Sequence, residues 1–292
     1  MKNKGFGSAV FDVINCIILT FVIVVTVYPM LYVIFASVSD GTQFLKHSGL
    51  LLKPLGFTIN AYKEVFKNSM IVSGYVTTLI ILCIGVPLNI LLTSFGAYFL
   101  SRREIMLSKA VMIIIMITMF FSGGMIPFYL VVKGLGLYDN ILSLILPSAI
   151  ATFNLIIMKT SFQGIPVSLI ESSKIDGAND LIVLFRIIMP LSGPVIAVLI
   201  LYYAVGHWNS WFNAMLFMQT RSKYPLQLVL REILIQNDVN SMTTGYSQLD
   251  QIGISEGLKY AVIVTATLPI LAIYPFLQKY FVKGVMVGAV KE

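Results

Sequence analysis

The side chains able to do chemistry are few, and none is arranged for catalysis. The two histidines, His47 and His207, and the two cysteines, Cys16 and Cys83, lack the spacing of a metal site. Both cysteines lie within apolar runs, so they read as small buried hydrophobes rather than redox centres. Asp176 and Asp180 are close in sequence, but acids on an exposed loop are ordinarily just solvated. The dipeptide Gly-Lys never occurs, so the chain has no phosphate-binding G-x-x-x-x-G-K-[ST] loop and is not expected to hydrolyse ATP by that route.

Two clusters suit binding better. Tyr202, Tyr203, Trp208, Asn209, Trp211 and Asn213 combine aromatic rings that can stack on a ligand with amides that can hydrogen-bond it. On a continuous helix Trp208 and Trp211 share one face, and Asn209 and Asn213 another. An interfacial aromatic belt explains the tryptophans equally well, though not the asparagines. The second cluster is Ser168-x-x-Glu171, which has the form of a capping box and places a short helix over about Leu169–Ile175. Gly177 can end that helix, and Asp180 can cap the next, which leads towards Pro190. This stretch is either an interfacial amphipathic segment or a rigid knob that docks on a soluble partner.

The elements that carry these clusters are set by composition. Of 292 residues, 58% are hydrophobic and 11% charged, against about a quarter charged in soluble domains. Such a chain cannot wet its own surface, so its solvent is lipid. This excludes a soluble enzyme, a disordered tail and a disulfide scaffold. The net charge of +7 is distributed between apolar runs, which points to anionic lipid rather than nucleic acid. Six runs are long enough to span a bilayer, at about 13–38, 70–101, 110–132, 141–158, 190–218 and 260–278, and none contains Asp, Glu, Lys or Arg. Pro29, Pro87 and Pro147 are candidate kinks. Met112, Met116, Met119 and Phe120 recur at helical spacing and read as bundle packing.

The chain is expected to be a single all-α polytopic domain over 1–292, with a loop at 163–190. Among the short loops, Arg102, Arg103 and Lys109 outweigh Lys133, which places both termini in the cytoplasm. A proton- or ion-coupled carrier would keep ionisable groups inside the membrane. Here only His207 does so, near a span end, where an interfacial polar role is the ordinary one. If the chain pumps, its energy must come from another subunit. A channel or secondary carrier, and a permease for amino acids or ions, stand as alternatives.

Glu171-Ser172-Ser173-x-x-Asp176-Gly177-Ala178, followed by Phe185, Ile188, Pro190 and Pro194, resembles the EAA loop of binding-protein-dependent ABC importer permeases. Serines replace the usual alanines at 172 and 173. Ala97-Tyr98-Phe99-Leu100-Ser101-Arg102, Leu135–Asn140, Trp208–Phe212 and the tail Tyr274–Glu292 extend the likeness along nearly the whole chain. They are similar to the second, smaller permease of the maltose-type carbohydrate group. Tyr224-Pro-Leu-Gln227 and the stretch Tyr274–Lys279 look most like the oligosaccharide and complex-glycan branch of Gram-positive bacteria.

The resemblance implies a type I importer permease fold with a cytoplasmic EAA coupling helix, in a bacterial plasma membrane. It implies a heterodimer with a second permease, and two ATPase subunits that bind ATP and Mg in place of this chain. An extracellular sugar-binding lipoprotein would deliver the carbohydrate. Glu171, Ser172, Ser173, Asp176, Gly177 and Ala178 would contact the ATPase, and Gly288, Val290 and Lys291 of the tail could do so too. Tyr202, Trp208, Asn209, Trp211 and Asn213 are candidates for the substrate path. The outer loop Thr220–Lys259, with a short helix near Leu226–Gln236, would meet the delivering protein.

Overall fold

The computed structural model describes residues 6–102, 104–235 and 256–273, and among them the regular structure is helical apart from one isolated bridge, Ser39 to Phe57. The chain divides into two contact units. One takes in residues 1–69 and 232–268, the other 70–231 and 269–292.

The first unit opens with α1 (Phe6–Ser37), a 32-residue helix whose apolar surface is almost wholly exposed until its last turns. Two short helices follow, α2 (Gly41–Lys46) and α3 (Asn60–Lys67). Asp40 caps α2 by accepting from the amides of Thr42 and Gln43. The carboxyl is held below its usual pKa range first by the Thr42 hydroxyl and then by the Gln43 amide. Tyr62 and Ser37 share a hydrogen bond of 2.7 Å that ties α3 to the end of α1. The rings of Tyr32, Phe44 and Tyr260 meet edge to face at 5.3–6.1 Å. Tyr260 belongs to the 18-residue helix Glu256–Ile273.

In the second unit α4 (Ser69–Ser101) is a single 33-residue helix that passes through Pro87. The next three apolar runs are not single helices. The run at 110–132 consists of α5 (Ser108–Phe120) and α6 (Met125–Gly134), which meet at 118°. Gly124, at φ +85°, makes that reversal possible. The run at 141–158 comprises α7 (Leu142–Ile145) with a 3₁₀ turn at Leu146–Ser148, then α8 (Thr152–Gln163), bent by 51°. Pro147 lies in that turn.

The loop helices follow: α9 (Val167–Ile175), α10 (Asp180–Val183), a π-helical turn at Leu184–Ile188, and α11 (Met189–Leu191). Pro190 has no N–H for the Arg186 carbonyl and its ring crowds that carbonyl, which accounts for the widened π turn just before it. The chain then bends by 87° at Ser192 into α12 (Gly193–Trp208). α13 (Phe212–Phe217) and α14 (Leu226–Ile235) complete the described order before the final helix. Among the described residues, three helices are long and apolar enough to cross a membrane, and the number rises to six if each bent pair is one span.

Each break leaves backbone groups that hydrocarbon cannot satisfy. At the 148–151 break, the Asn89 amide on α4 donates to the carbonyls of Ser148 and Ala149, both at 2.9 Å. The Ala151 N–H donates to the Tyr203 hydroxyl on α12 at 3.1 Å, and Tyr203 also meets Thr93 at 2.7 Å. With both Asn89 amide hydrogens committed, its oxygen accepts from His207 Nε2 at 2.8 Å. His207 is therefore buried and partnered, in contrast to the interfacial position expected of it. A Cβ on Gly85 would stand 2.9 Å from His207 Nε2, so glycine makes room for the ring.

Packing corrects two further expectations. Cys16 and Cys83 are exposed on the chain surface rather than buried, as suits residues facing lipid. Met112 packs in the α4–α5–α8–α12 core with Val111 and Ile115, but Met116, Met119 and Phe120 are exposed.

Asn89→Leu keeps the branching of the side chain and removes its bonds to Ser148, Ala149 and His207, while the Ala151–Tyr203 bond stays in place. Stability should fall by roughly 1–3 kcal/mol, the cost of orphaned buried polar groups. Gly85→Leu should lower it by displacing His207. Thermal unfolding of the purified protein in detergent reads both effects, and an unchanged midpoint for Asn89→Leu would remove the bracing role.

Candidate functional site

The EAA-like stretch folds as a short peg closed by a glycine turn. α9 begins directly after Pro166, which stands at its N-cap without a side-chain hydrogen bond. The capping box expected of Ser168 and Glu171 is absent because the helix starts one residue before Ser168, which places that serine inside the first turn. Ser172 and Ser173 turn their hydroxyls back to the carbonyls of Leu169 and Ile170. The serines thus satisfy themselves and leave the surface nearly as smooth as alanines would.

Gly177 ends the helix at φ +85°. The Ala178 amide reaches the Ser173 carbonyl at 2.9 Å and the Gly177 amide reaches Lys174 at 3.1 Å, which is the Schellman pattern. Only Ile170 of the peg is buried, while Leu169 and Ile175 are exposed, Ile175 at 86%. Glu171, Ser172, Asp176 and Gly177 are exposed as well, and Ala178 packs partly against the core. The peg therefore carries an apolar edge beside two acids.

Asn179, not Asp180, caps the second helix, accepting from the Ile182 amide at 2.9 Å. That leaves Asp180 free to hold the peg in place. Its carboxylate accepts from the Tyr98 hydroxyl at 2.8 Å and from Arg102 at 3.3 Å, with Lys174 at 3.7 Å. Arg102 also donates to the Tyr98 oxygen at 2.8 Å and lies 4.8 Å over its ring. The Tyr98 hydrogen bond, reinforced by Arg102 and Lys174, holds the Asp180 carboxyl below its usual range. The Ala97–Arg102 stretch and the loop at 171–178, separate in sequence, thus form one assembly. The sequence pointed to both motifs but not to this link. Asp180 could have been found as the acid just beyond the glycine turn, facing the Tyr98–Arg102 pair one helical turn apart.

The aromatic–amide cluster is not laid out as helical spacing requires. α12 ends at Trp208 and α13 starts only at Phe212, so the shared faces expected for Trp208 with Trp211, and for Asn209 with Asn213, do not form. Trp208 is 6% exposed and packs edge to face on Tyr75. Trp211 is open and carries the Arg231 guanidinium 4.7 Å above its ring. Tyr202 is exposed beside Phe153, Asn209 is exposed, and Asn213 is half-buried. Gly288, Val290 and Lys291 lie outside the described residues. So does Ser255 of Gly253-Ile-Ser-Glu-Gly257, which spells a serine-nucleophile elbow but runs into the helix Glu256–Ile273.

A second polar knot, absent from the sequence reading, is formed by Asp139. It has φ +54° and accepts from the amides of Gln219 and Thr220, the Thr220 hydroxyl at 2.6 Å and Lys223 at 2.9 Å. The Thr220 hydroxyl and amide, then Lys223, keep this carboxyl far below its ordinary range. It fastens the loop after α6 to the turn before α14. Among the described residues, no three His, Cys, Asp or Glu side chains could hold a metal ion.

No protein-family profile matches the chain. Over its whole length it is 44% identical to Protein LplC of Bacillus subtilis (strain 168), of which it covers 98%. It is 41% identical to the polygalacturonan/rhamnogalacturonan transport system permease protein YtcP of the same organism, with each chain fully covered. Among solved structures, a chain of a bacterial ABC transporter involved in the import of the acidic polysaccharide alginate superposes with a TM-score of 0.87 at 30% identity, over 96% of this chain and all of that one. A length-wide match of this kind, together with the apolar helices and the glycine-turned peg, places the chain in the family of carbohydrate ABC-transporter permeases.

Proposed function

We propose that this chain is one half of the pathway of an ATP-driven importer for oligosaccharides, in which a second, homologous permease supplies the other half. The observation that carries the reading is the α9 peg, apolar at its edge, closed by Gly177 and clamped through Asp180 to the end of α4. A rigid, exposed knob of this kind suits a groove on a soluble motor. Glu171, Ser172, Ser173, Asp176, Gly177 and Ala178 would form the contact. ATP and Mg would be bound by two partner ATPase subunits, and the reaction at this chain would be movement, not bond-making.

The three bent pairs count as one span each on this reading, giving six spans, with both termini in the cytoplasm and the peg on the same side. The prolines at 190 and 194 and the 87° bend at Ser192 make the segment after the peg a stiff elbow, which would carry the motor's movement into α12. An external sugar-binding lipoprotein would deliver substrate on the far side. Tyr202, Asn209, Trp211 and Asn213 would offer rings and amides to the sugar, and Trp208 would shape the wall from within. Polygalacturonan and alginate, named for the relatives, are acidic polymers, and Arg231 over Trp211 would suit a carboxylated sugar. Gly288, Val290 and Lys291 would extend the ATPase contact.

The test is uptake by the reconstituted transporter with all its partners. A Cβ at Gly177 would meet nothing within 4 Å, so a substitution there acts through backbone strain or through the docked surface. Gly177→Trp should reduce ATP-coupled uptake at least tenfold while the external protein still captures sugar. Gly177→Asn, which tolerates positive φ, should recover most of the uptake if the turn is what matters. Normal uptake by Gly177→Trp, or sugar flux through this chain alone without ATP, would sink the reading.

The clamp gives a second test. Tyr98→Phe and Asp180→Ala should each reduce coupled uptake a few-fold, and the double variant should be no worse than the worse single one. The exposure of Asp180 limits the bond to about 1 kcal/mol. Because its folded pKa is depressed, the clamp is present above the ordinary aspartate pKa and is lost only as pH falls through the lower, folded value. The coupling between the two sites should therefore stay flat from neutral to mildly acidic pH. Additive effects of the two substitutions would refute the clamp.

A further inference from the structure

We propose that a cavity of about 780 Å³ at the start of α5 is a binding site for an anionic phospholipid. The inference rests on the chain being a membrane protein and is independent of the docking role of the peg. The cavity is walled by the end of α4 (Leu100, Ser101, Arg102), the first three turns of α5, and the end of α8 (Lys159, Gln163). On α5 the lining residues Lys109, Met112, Ile113 and Met116 follow i, i+3, i+4, i+7, so they form one stripe. The stripe is cationic at the helix end and apolar deeper in, which is the polarity of a phospholipid with its headgroup at the mouth.

Three further observations fit a phosphate at that mouth. Among the described lining residues there is no carboxylate, whereas three are cations, Arg102, Lys109 and Lys159. Arg102 is committed to Tyr98 and Asp180, but among the described residues neither Lys109 nor Lys159 has a hydrogen-bond or ion-pair partner. An ammonium such as Lys159, half-buried beside methionines, needs an anion. In addition, α5 has Leu107 at its N-cap with no side-chain cap, and although the Ser108 amide is taken by the Ile105 carbonyl, the positive end of the helix dipole lies where Ser108 and Lys109 line the cavity. Basic pockets between spanning helices are a known mode of headgroup binding. A free phosphate would satisfy the lysines but leave Met112, Ile113 and Met116 facing an empty groove. The apolar wall therefore favours the lipid.

The test is native mass spectrometry on the complete transporter in nanodiscs of phosphatidylcholine mixed with phosphatidylglycerol. Wild type should retain phosphatidylglycerol in preference to phosphatidylcholine. Lys109→Gln and Lys159→Gln should each weaken retention roughly fivefold, while Lys109→Arg with Lys159→Arg should keep it. Ile113→Trp, which fills the apolar end, should also displace the lipid with both lysines intact, and this covers the case in which a glutamine variant does not fold. Lys46→Gln, in the first unit, should change nothing. Equal retention by the wild type and the Lys109→Gln/Lys159→Gln variant would overturn the proposal. So would displacement of the lipid by inorganic phosphate alone. Loss of a partner subunit, rather than lipid, from the glutamine variants would assign the cavity to a protein contact instead.

Discussion

A peptide group in hydrocarbon has nowhere to turn for a hydrogen bond except the protein itself. An unbroken helix meets that demand residue by residue, and α4 does so along its 33 residues except at Pro87, which has no N–H to give the Cys83 carbonyl. A broken helix does not, and the described residues of the second unit contain three breaks. The architecture therefore depends on what satisfies them. At the 148–151 break the answer is a set of side chains borrowed from two other helices, Asn89 and Thr93 from α4 and Tyr203 and His207 from α12. Four polar residues, costly alone in lipid, become inexpensive because each is the other's partner or a backbone group's partner. The same network fixes the positions of α4, α8 and α12 relative to one another, which apolar packing alone would leave free to slide.

The end of the unit that carries the peg is braced differently. There the burden falls on charge, because water is close. Asp180 stands just past the glycine turn and collects Tyr98, Arg102 and Lys174. The peg itself has little to hold it, since Ile170 is its only buried residue. Its rigidity comes from the Schellman turn on one flank and this clamp beyond it. The π turn and α11 then run without a gap to the bend at Ser192, so a displacement of the peg would have few soft joints in which to be lost before α12. Two prolines in that stretch remove amides that a straight helix would have used, and so fix where the bend falls.

Much of this was legible in the sequence, for identifiable reasons. Apolar runs without charge report spans because the cost of a buried charge leaves little alternative. Gly177 was legible because a residue at positive φ after a short helix is nearly always glycine. The errors were of another kind. Ser168 and Asp180 were assigned caps that Pro166 and Asn179 occupy, because a capping pattern gives a residue type and not a register. Trp208 and Trp211 were placed on one face because a continuous apolar run hides a helix end at Asn209. Asn89 was legible in principle, as the one carboxamide within the second run. Its partners, 59 to 118 residues away, were not. Nothing local marks a pair brought together only by packing.

The placement of polar groups follows a gradient that explains which of them could be recognised. Asp139 and Asp180 lie where water is available, each gathers hydroxyl, amide and cationic donors, and both carboxyls are pushed to favour the charged form. Each sits in a motif, since a loop that must keep a carboxylate in one pose needs fixed neighbours; at Asp139 this extends to a strained backbone at φ +54°. Between them, Asn89 and Tyr203 do the same work with neutral groups, because an ion there would pay for desolvation without a water to offset it. Neutral amides and hydroxyls are common in any sequence and mark nothing by themselves. The motifs around the two loop fasteners were therefore visible as patterns, though not the links they make, whereas the brace that positions α4, α8 and α12 emerges only when the backbone breaks are paired with the side chains that satisfy them.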